Sequence, residues 1–262
     1  MTDFTLKAYH KYLDAILSSS LNVITLGEYF KNRPTESFCI IRHDVDRKPM
    51  HALRMAELEY KMNIHASYFF RTRKHTFKPG IIRQIFECGH EIGYHYENVS
   101  DTHGDLDKAL FDFKNQLNKL RHFVPVSTIC MHGRPFSPYD NRRLWQNSTN
   151  KRLLSSELGI AGDVYLDIDY TTIRYISDTG RNWHQSRSNI RDRVVSDYQP
   201  DFSGYDDLVK FFRTAKSHPI IFLTHPERWS HNWGDWLIQW SKDYVINFAK
   251  ALVNLKSNIL SN

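Results

Sequence analysis

The feature that most restricts how this chain folds is a repeated event: a short apolar run breaks off into a cluster of His, Asp, Glu or Arg. Ile40-Ile41 leads into Arg42-His43-Asp44-Val45-Asp46, and Ile92-Gly93-Tyr94 leads into His95-Tyr96-Glu97. Tyr68-Phe69-Phe70 ends at Arg71, and Thr128-Ile129-Cys130 at Met131-His132-Gly133-Arg134. Val164-Tyr165-Leu166 runs into Asp167-Ile168-Asp169, and Ile220-Ile221-Phe222-Leu223 into Thr224-His225-Pro226-Glu227-Arg228. In a parallel sheet or barrel the side chains just past the C-terminal strand ends share one face, so these clusters converge on a single pocket. That layout reads as an enzyme with a metal.

Between the runs lie helical patterns. Leu6, Tyr9, Tyr12, Leu13 and Ile16 recur at helical spacing, and helices are expected over 49–62, 80–88, 106–120, 205–215 and about 233–255. Strands are expected near 37–41, 65–70, 91–94, 127–131, 163–167, 172–176 and 219–223. Alternation of the two makes the class α/β with a mostly parallel sheet, and seven strand candidates favour a distorted (β/α)7-type barrel over an open sheet. With 262 residues and no Gly/Ser or Pro-rich linker, one domain over 1–262 is expected, with 1–36 as a helical extension packed on it. The polar stretch 184–204 shows no period, and a loop of that length in a compact domain is usually functional or disordered.

Composition narrows the function classes. Cys39, Cys88 and Cys130 each lie among apolar residues without metal-type spacing, which reads as reduced thiols. The first residues lack a basic region followed by an apolar stretch, and no run approaches the roughly 18 apolar residues of a membrane span. A cytoplasmic protein without a membrane span is the expectation. The net charge is +6, but the basic residues are dispersed, so no nucleic-acid partner is expected, while an anionic substrate stays compatible.

Asp44 and Asp46 are two apart at a strand end, a spacing that serves as metal ligand plus general base, as two ligands, or as an Asx-turn with one solvated carboxylate. His95, after Gly89-His90-Glu91-Ile92-Gly93-Tyr94, is placed to join a carboxylate on a divalent ion, with the glycines allowing tight backbone approach. His43 points to the opposite side from Asp44 on a regular strand, and reads as a packed neighbour.

From Cys39 to Trp229 these motifs resemble, in order, the polysaccharide deacetylases of carbohydrate esterase family 4, which share the NodB-like fold. Ile41-Arg-His-Asp44-Val-Asp46 is similar to the motif that carries the catalytic base and then a metal-binding Asp, which implies Asp44 as base and Asp46 as ligand. Ala66-Ser-Tyr-Phe-Phe70 is similar to the following strand, and Gly89-His-Glu-Ile-Gly-Tyr-His95 to the strand that ends in the first metal His. His132-Gly-Arg134-Pro135-Phe-Ser-Pro-Tyr139 resembles the substrate wall. Asp178-Thr-Gly-Arg181-Asn-Trp183 resembles the segment whose Arg holds the base, and Leu223-Thr-His225 the strand with the catalytic acid.

One position departs from the pattern. The family's second metal His falls four residues after the first, where this chain has Val99, and an aliphatic side chain cannot ligate. The candidates for the third ligand are His132, then Glu97, then His103. The signatures His-Asp-Val-Asp, Gly-Tyr-His-Tyr-Glu, Met-His-Gly and His-Pro-Glu-Arg-Trp are most similar to a divergent branch associated with O-antigen and surface-polysaccharide biosynthesis.

The resemblance thus implies a metal-dependent carbohydrate N-deacetylase acting on an amino sugar or glycan, with Zn2+ as cofactor and Co2+, Ni2+ or Mn2+ as alternatives. Glu97, Arg134, Tyr139, Asp167, Trp183 and Trp229 are the expected substrate contacts, Trp183 and Trp229 as platforms for a pyranose ring. Asn141 and Arg142 either bind sugar or belong to a helix-starting turn. Trp233, Trp236 and Trp240 share one helical face and read as core. The rival reading is a catalytically impaired sugar-binding or scaffold protein on the same barrel. The sequence is silent on the number of associating chains.

Overall fold

The computed structural model describes residues 2–35, 37–134, 137–183, 194–198, 201–216 and 218–260. Its elements run α1 (Leu6–Leu17), β1 (Asn22–Ile24), α2 (Leu26–Asn32), β2 (Phe38–Val45), α3 (Pro49–Lys61), β3 (Ser67–Phe70), α4 (Pro79–Glu87), β4 (Glu91–Tyr96) and α5 (Asn98–Asp101). They continue with α6 (Leu106–Arg121), β5 (Thr128–Met131), α7 (Arg143–Gln146), α8 (Ser148–Ser156), β6 (Gly162–Asp163), β7 (Arg174–Ser177), α9 (Tyr205–Thr214), β8 (Ile220–Thr224) and α10 (Trp233–Leu260). Most of the expected loop 184–204 lies outside the described residues.

All strand pairings are parallel, in the order β6-β5-β4-β3-β2-β8-β7. Read from β2 through β3, β4, β5, β6, β7 and β8 back to β2, this is the cyclic order of a seven-stranded barrel. Among the described residues only the seam between the two-residue β6 and β7 lacks a ladder, so the sheet is a curled, incomplete (β/α)7 barrel. The three-residue β1, which has no run long enough to be read from the sequence, adds to the start of β2.

Strand parity sorts the side chains. Cys39, Ile41 and Val45 of β2 face the helices, in one core with Tyr9, Tyr12 and Leu13 of α1 and Met55 and Ala56 of α3. Phe38 and Ile40 face the barrel interior with Phe69, Cys130, Ile221 and Leu223. Both faces of the strand are therefore dry, which is why β2 is buried at every position and reads as a continuous apolar run. Each large side chain so buried contributes about 1.5–3 kcal/mol.

His43 follows the same rule and points outward. Its Nε2 lies 2.8 Å from Glu59 Oε1 and its Nδ1 2.7 Å from Thr224 Oγ1. The Tyr68 hydroxyl donates to Glu59 Oε2 at 2.7 Å, so this buried polar group in the helical layer is satisfied. His43 is thus a packed neighbour, as its parity with Asp44 required.

Two glycines place β4. Gly89, at φ +85°, makes the left-handed exit from α4. Gly93 faces the barrel interior, where any Cβ would run into the Phe69 ring.

Candidate metal centre

Asp46, His95 and His132 meet at the C-terminal ends of β2, β4 and β5. Asp46 Oδ1 lies 3.3 Å from His95 Nε2 and 3.3 Å from His132 Nε2. The two rings stand nearly perpendicular, 5.1 Å apart. One ligand atom from each residue lies within 4.8 Å of the other two. Asp46 Oδ1 is buried and makes no hydrogen bond among the described residues, with an imidazole nitrogen at ion-pair distance on either side. One carboxylate oxygen and two imidazole nitrogens form a borderline donor set that suits Zn2+ and its divalent neighbours.

Each ligand is held from behind. His95 Nδ1 lies 3.0 Å from the Cys130 carbonyl oxygen; donating there leaves Nε2 free to bind. His132 Nδ1 faces Glu97 Oε2 at 3.4 Å. Its backbone is pinned twice: its N–H donates to the Tyr96 carbonyl at 2.7 Å, and its carbonyl accepts from Asn141 Nδ2 at 2.9 Å. Asn141 also accepts from Ser100 N at 2.9 Å, so it is a structural clasp rather than a sugar contact.

Burial alone would raise the Asp46 carboxyl, but His132 and then His95 hold it well below the usual carboxylate range. Burial opposes charge on His132, but Asp46 and Glu97 push that ring up to about 9.

Of the candidate third ligands, His132 is the one brought to Asp46 and His95. Val99 sits on α5 with its side chain in the helical core. Glu97 is spent elsewhere: Arg71 donates from Nε at 2.8 Å and from Nη2 at 2.9 Å, and Arg73 Nε donates at 2.7 Å. Its expected place among the substrate contacts is therefore corrected; it stands behind His132. His103 lines the cavity in front of the centre but is not in the ligand group.

Asp44 lies deeper, 3% exposed, with Oδ2 3.6 Å from His95 Nε2. Arg42 grips it with two prongs, Nε to Oδ1 at 2.9 Å and Nη2 to Oδ2 at 2.6 Å. Two-residue parity on β2 puts both inside the barrel, and this signal was readable in the sequence. The expected partner, Arg181, is elsewhere: it lies 3.6 Å from Asp243 and is stacked between Phe4 and Trp236, each ring centroid 5.0 Å away.

His225, just past β8, pairs with a residue that sequence reasoning gave no role. Asp178, at the end of β7, accepts from His225 Nδ1 at 2.6 Å and from the His225 backbone N–H at 2.9 Å. Arg228 Nη1 and Trp229 Nε1 each donate to the same carboxylate at 2.9 Å. Burial would raise Asp178, but Arg228 and His225 hold it low. Burial and Arg228 oppose charge on His225, yet Asp178 prevails and raises its pKa.

A cavity of about 500 Å³ opens in front of Asp46 and His132, and Arg134 and Tyr139 are among the residues that line it. Three expected contacts are corrected. Asp167 is tied to Lys151 at 2.5 Å and caps Asp163 N at 2.8 Å, away from the cavity. Trp183 and Trp229 are 5% and 1% exposed, packed with Phe4 and Tyr12 beneath α1, and offer no face to a sugar. Arg142 pairs with Asp140 at 2.6 Å. Conversely, the face read as core on α10 is partly open, with Trp233 70% and Trp240 46% exposed. No described helix is long and apolar enough to cross a membrane.

No family model and no curated protein matches the sequence. Solved structures are similar at a low level. A CE4 esterase from Streptococcus mutans aligns at 12% identity and a TM-score of 0.44, over 86% of this chain and 85% of that one. The Xyl-CE4 domain of a multidomain xylanase from the hindgut metagenome of Trinervitermes trinervoides gives 13% and 0.41, over 84% and 83%. Peptidoglycan deacetylase PdaC from Bacillus subtilis gives 12% and 0.39, over 86% and 98%. Likeness at this level carries no functional argument, which rests on the side chains.

Proposed function

We propose that this chain is a metal-dependent hydrolase that removes an N-acetyl group from an amino sugar or glycan intermediate in surface-polysaccharide (O-antigen) biosynthesis. The observation that carries the reading is the buried, unbonded Asp46 Oδ1 placed 3.3 Å from both His95 and His132. These three side chains hold the cation, Zn2+ by donor type with Co2+, Ni2+ and Mn2+ as close alternatives. When bound, a divalent cation supplies Lewis acidity toward the acyl carbonyl and the attacking water.

The chain's own groups move the protons. Asp44, aimed by the two-pronged contact from Arg42, accepts the proton of the attacking water. His225, protonated and oriented by Asp178, donates to the departing amine. Arg134 and Tyr139 contact the sugar from the cavity wall. The order of sequence motifs supports the amide and sugar chemistry, and the O-antigen context rests on those signatures alone.

Protein purified without chelator is expected to carry about one equivalent of divalent metal and to release acetate from N-acetylated sugars. Asp46→Ala and His95→Ala are expected to lose most of the metal and the activity. Acetate release that persists in chelator and in Asp46→Ala sinks the reading. Undetectable metal with tight glycan binding favours the sugar-binding scaffold instead.

A further inference from the structure

Glu227 has no part in the chemistry above, yet it lines the same cavity. Pro226 opens a short 3-10 turn, Pro226–Arg228, directly after His225. Arg228 turns back to Asp178, while Glu227 turns to the cavity. It is 1% exposed. Arg47 Nη2, next in sequence to Asp46, stands 3.4 Å from Oε1. Oε2 is buried and has no hydrogen-bond partner among the described residues.

A buried carboxylate oxygen left unpaired destabilises the free protein, and such an atom on a residue that lines a cavity calls for whatever completes it. Burial and the Asp46 charge raise the Glu227 pKa, against Arg47, His225 and Arg228, which lower it. In its ionised form, the one the Arg47 contact favours, the carboxylate only accepts hydrogen bonds, and the group that completes Oε2 is then an O–H or N–H donor. Chain connectivity keeps this pair beside the centre, with Arg47 directly after Asp46 and Glu227 two residues after His225.

We propose that Glu227 is a substrate-binding residue whose Oε2 accepts a hydrogen bond from a hydroxyl or the amide N–H of the sugar beside its acyl group. The identity of the sugar rests on the deacetylase reading. The demand for a donor at Oε2 does not.

The test compares wild type with Glu227→Gln, a near-isosteric change, on protein as purified with its metal content measured. The probe is N-acetylated chitotetraose. Removing a buried carboxylate whose Oε2 has no partner is expected to raise Tm by about 3 °C, as removing a group held for function often does. KM for the probe is expected to rise at least tenfold while the metal content stays the same. Glu227→Ala should weaken binding at least as much.

An unchanged or lower Tm means that Glu227 serves the fold through Arg47, and a fall in metal content means that it holds a cation; either overturns the proposal. So does an unchanged KM. If wild type releases no acetate from the probe, the deacetylase reading fails, and calorimetric binding of the probe to both proteins replaces KM. Weaker binding by Glu227→Gln then sustains the proposal, and a probe that binds neither protein overturns it.

Discussion

Replacing Asp178 by Asn tests whether His225 is an oriented acid. The carboxylate accepts four hydrogen bonds, two on each oxygen: His225 Nδ1 and Arg228 Nη1 on one, His225 N and Trp229 Nε1 on the other. An Asn of the same shape keeps one oxygen and turns an NH2 group toward two of those donors whichever way it flips. Two buried donors left unpaired cost about 1–3 kcal/mol each. The loss of the charge opposite buried Arg228 acts in the same direction, by up to about 3–5 kcal/mol for a broken buried pair. These contributions overlap, so a loss of roughly 3–6 kcal/mol is expected, against a total stability of about 5–15 kcal/mol. For a chain of this size that is a fall in Tm on the order of 10 °C.

The functional arm has its own sign. Asp178 raises the pKa of His225, and the acid acts only while protonated, so the rate falls on the alkaline side as His225 loses its proton. Removing the carboxylate moves that alkaline limb to lower pH and lowers kcat by about 10²–10⁴-fold. Thermal melts and kcat/KM from pH 5 to 10 on the folded, metal-loaded variant read both effects. A folded Asp178→Asn protein with the wild-type alkaline limb, and a rate within a few-fold of wild type, refutes the role given to this pair.

Two further predictions concern other parts of the barrel. Glu97→Gln, which weakens the support behind His132 without touching the ligand set, should lower metal affinity about 10–100-fold in chelator competition; a substrate contact would instead raise KM with the metal unchanged. Burial pushes the Asp163 carboxyl from 3.8 to about 6, so the native state holds this proton more tightly than the unfolded chain. Its contribution is complete below about pH 3.8, is lost as pH rises through 6, and amounts to at most about 3 kcal/mol; urea melts from pH 4 to 7.5 should show that decline in wild type and not in Asp163→Asn.

The sequence reading and the structure agree most closely where local rules govern. Five of the six apolar runs became parallel strands, while Val164-Tyr165-Leu166, expected as a strand over 163–167, is a turn after the two-residue β6; the helices of α1, α3, α4, α6, α9 and α10 lie where periodicity put them. Asp46, His132 and His225 follow strand ends and His95 is the penultimate residue of β4, so all four lie at the C-terminal rim of the sheet. Missed elements were β1, α2, α5 and α7, too short to show a period, and α8, whose nine residues include only two apolar ones, Leu153 and Leu154. The aromatic residues misled because a Trp carries the same composition signal whether it stacks on a ligand or plugs a core. Trp183 and Trp229 are claimed by α1, and the sequence does not say which helix lies over which strand.

Strand parity and strand order in the chain were enough to set the barrel class and the rim on which the donors lie, whereas the Arg that grips Asp44, expected to be Arg181, is Arg42 in the structure. Tertiary structure alone brought His132, rather than Glu97 or His103, to Asp46 and His95, and alone matched His225 with Asp178 and Arg181 with Asp243. Local rules act over a few residues, whereas these pairings join side chains from strands and loops tens of residues apart. Their distances depend on the curl of the sheet and on which neighbouring charge each side chain meets first.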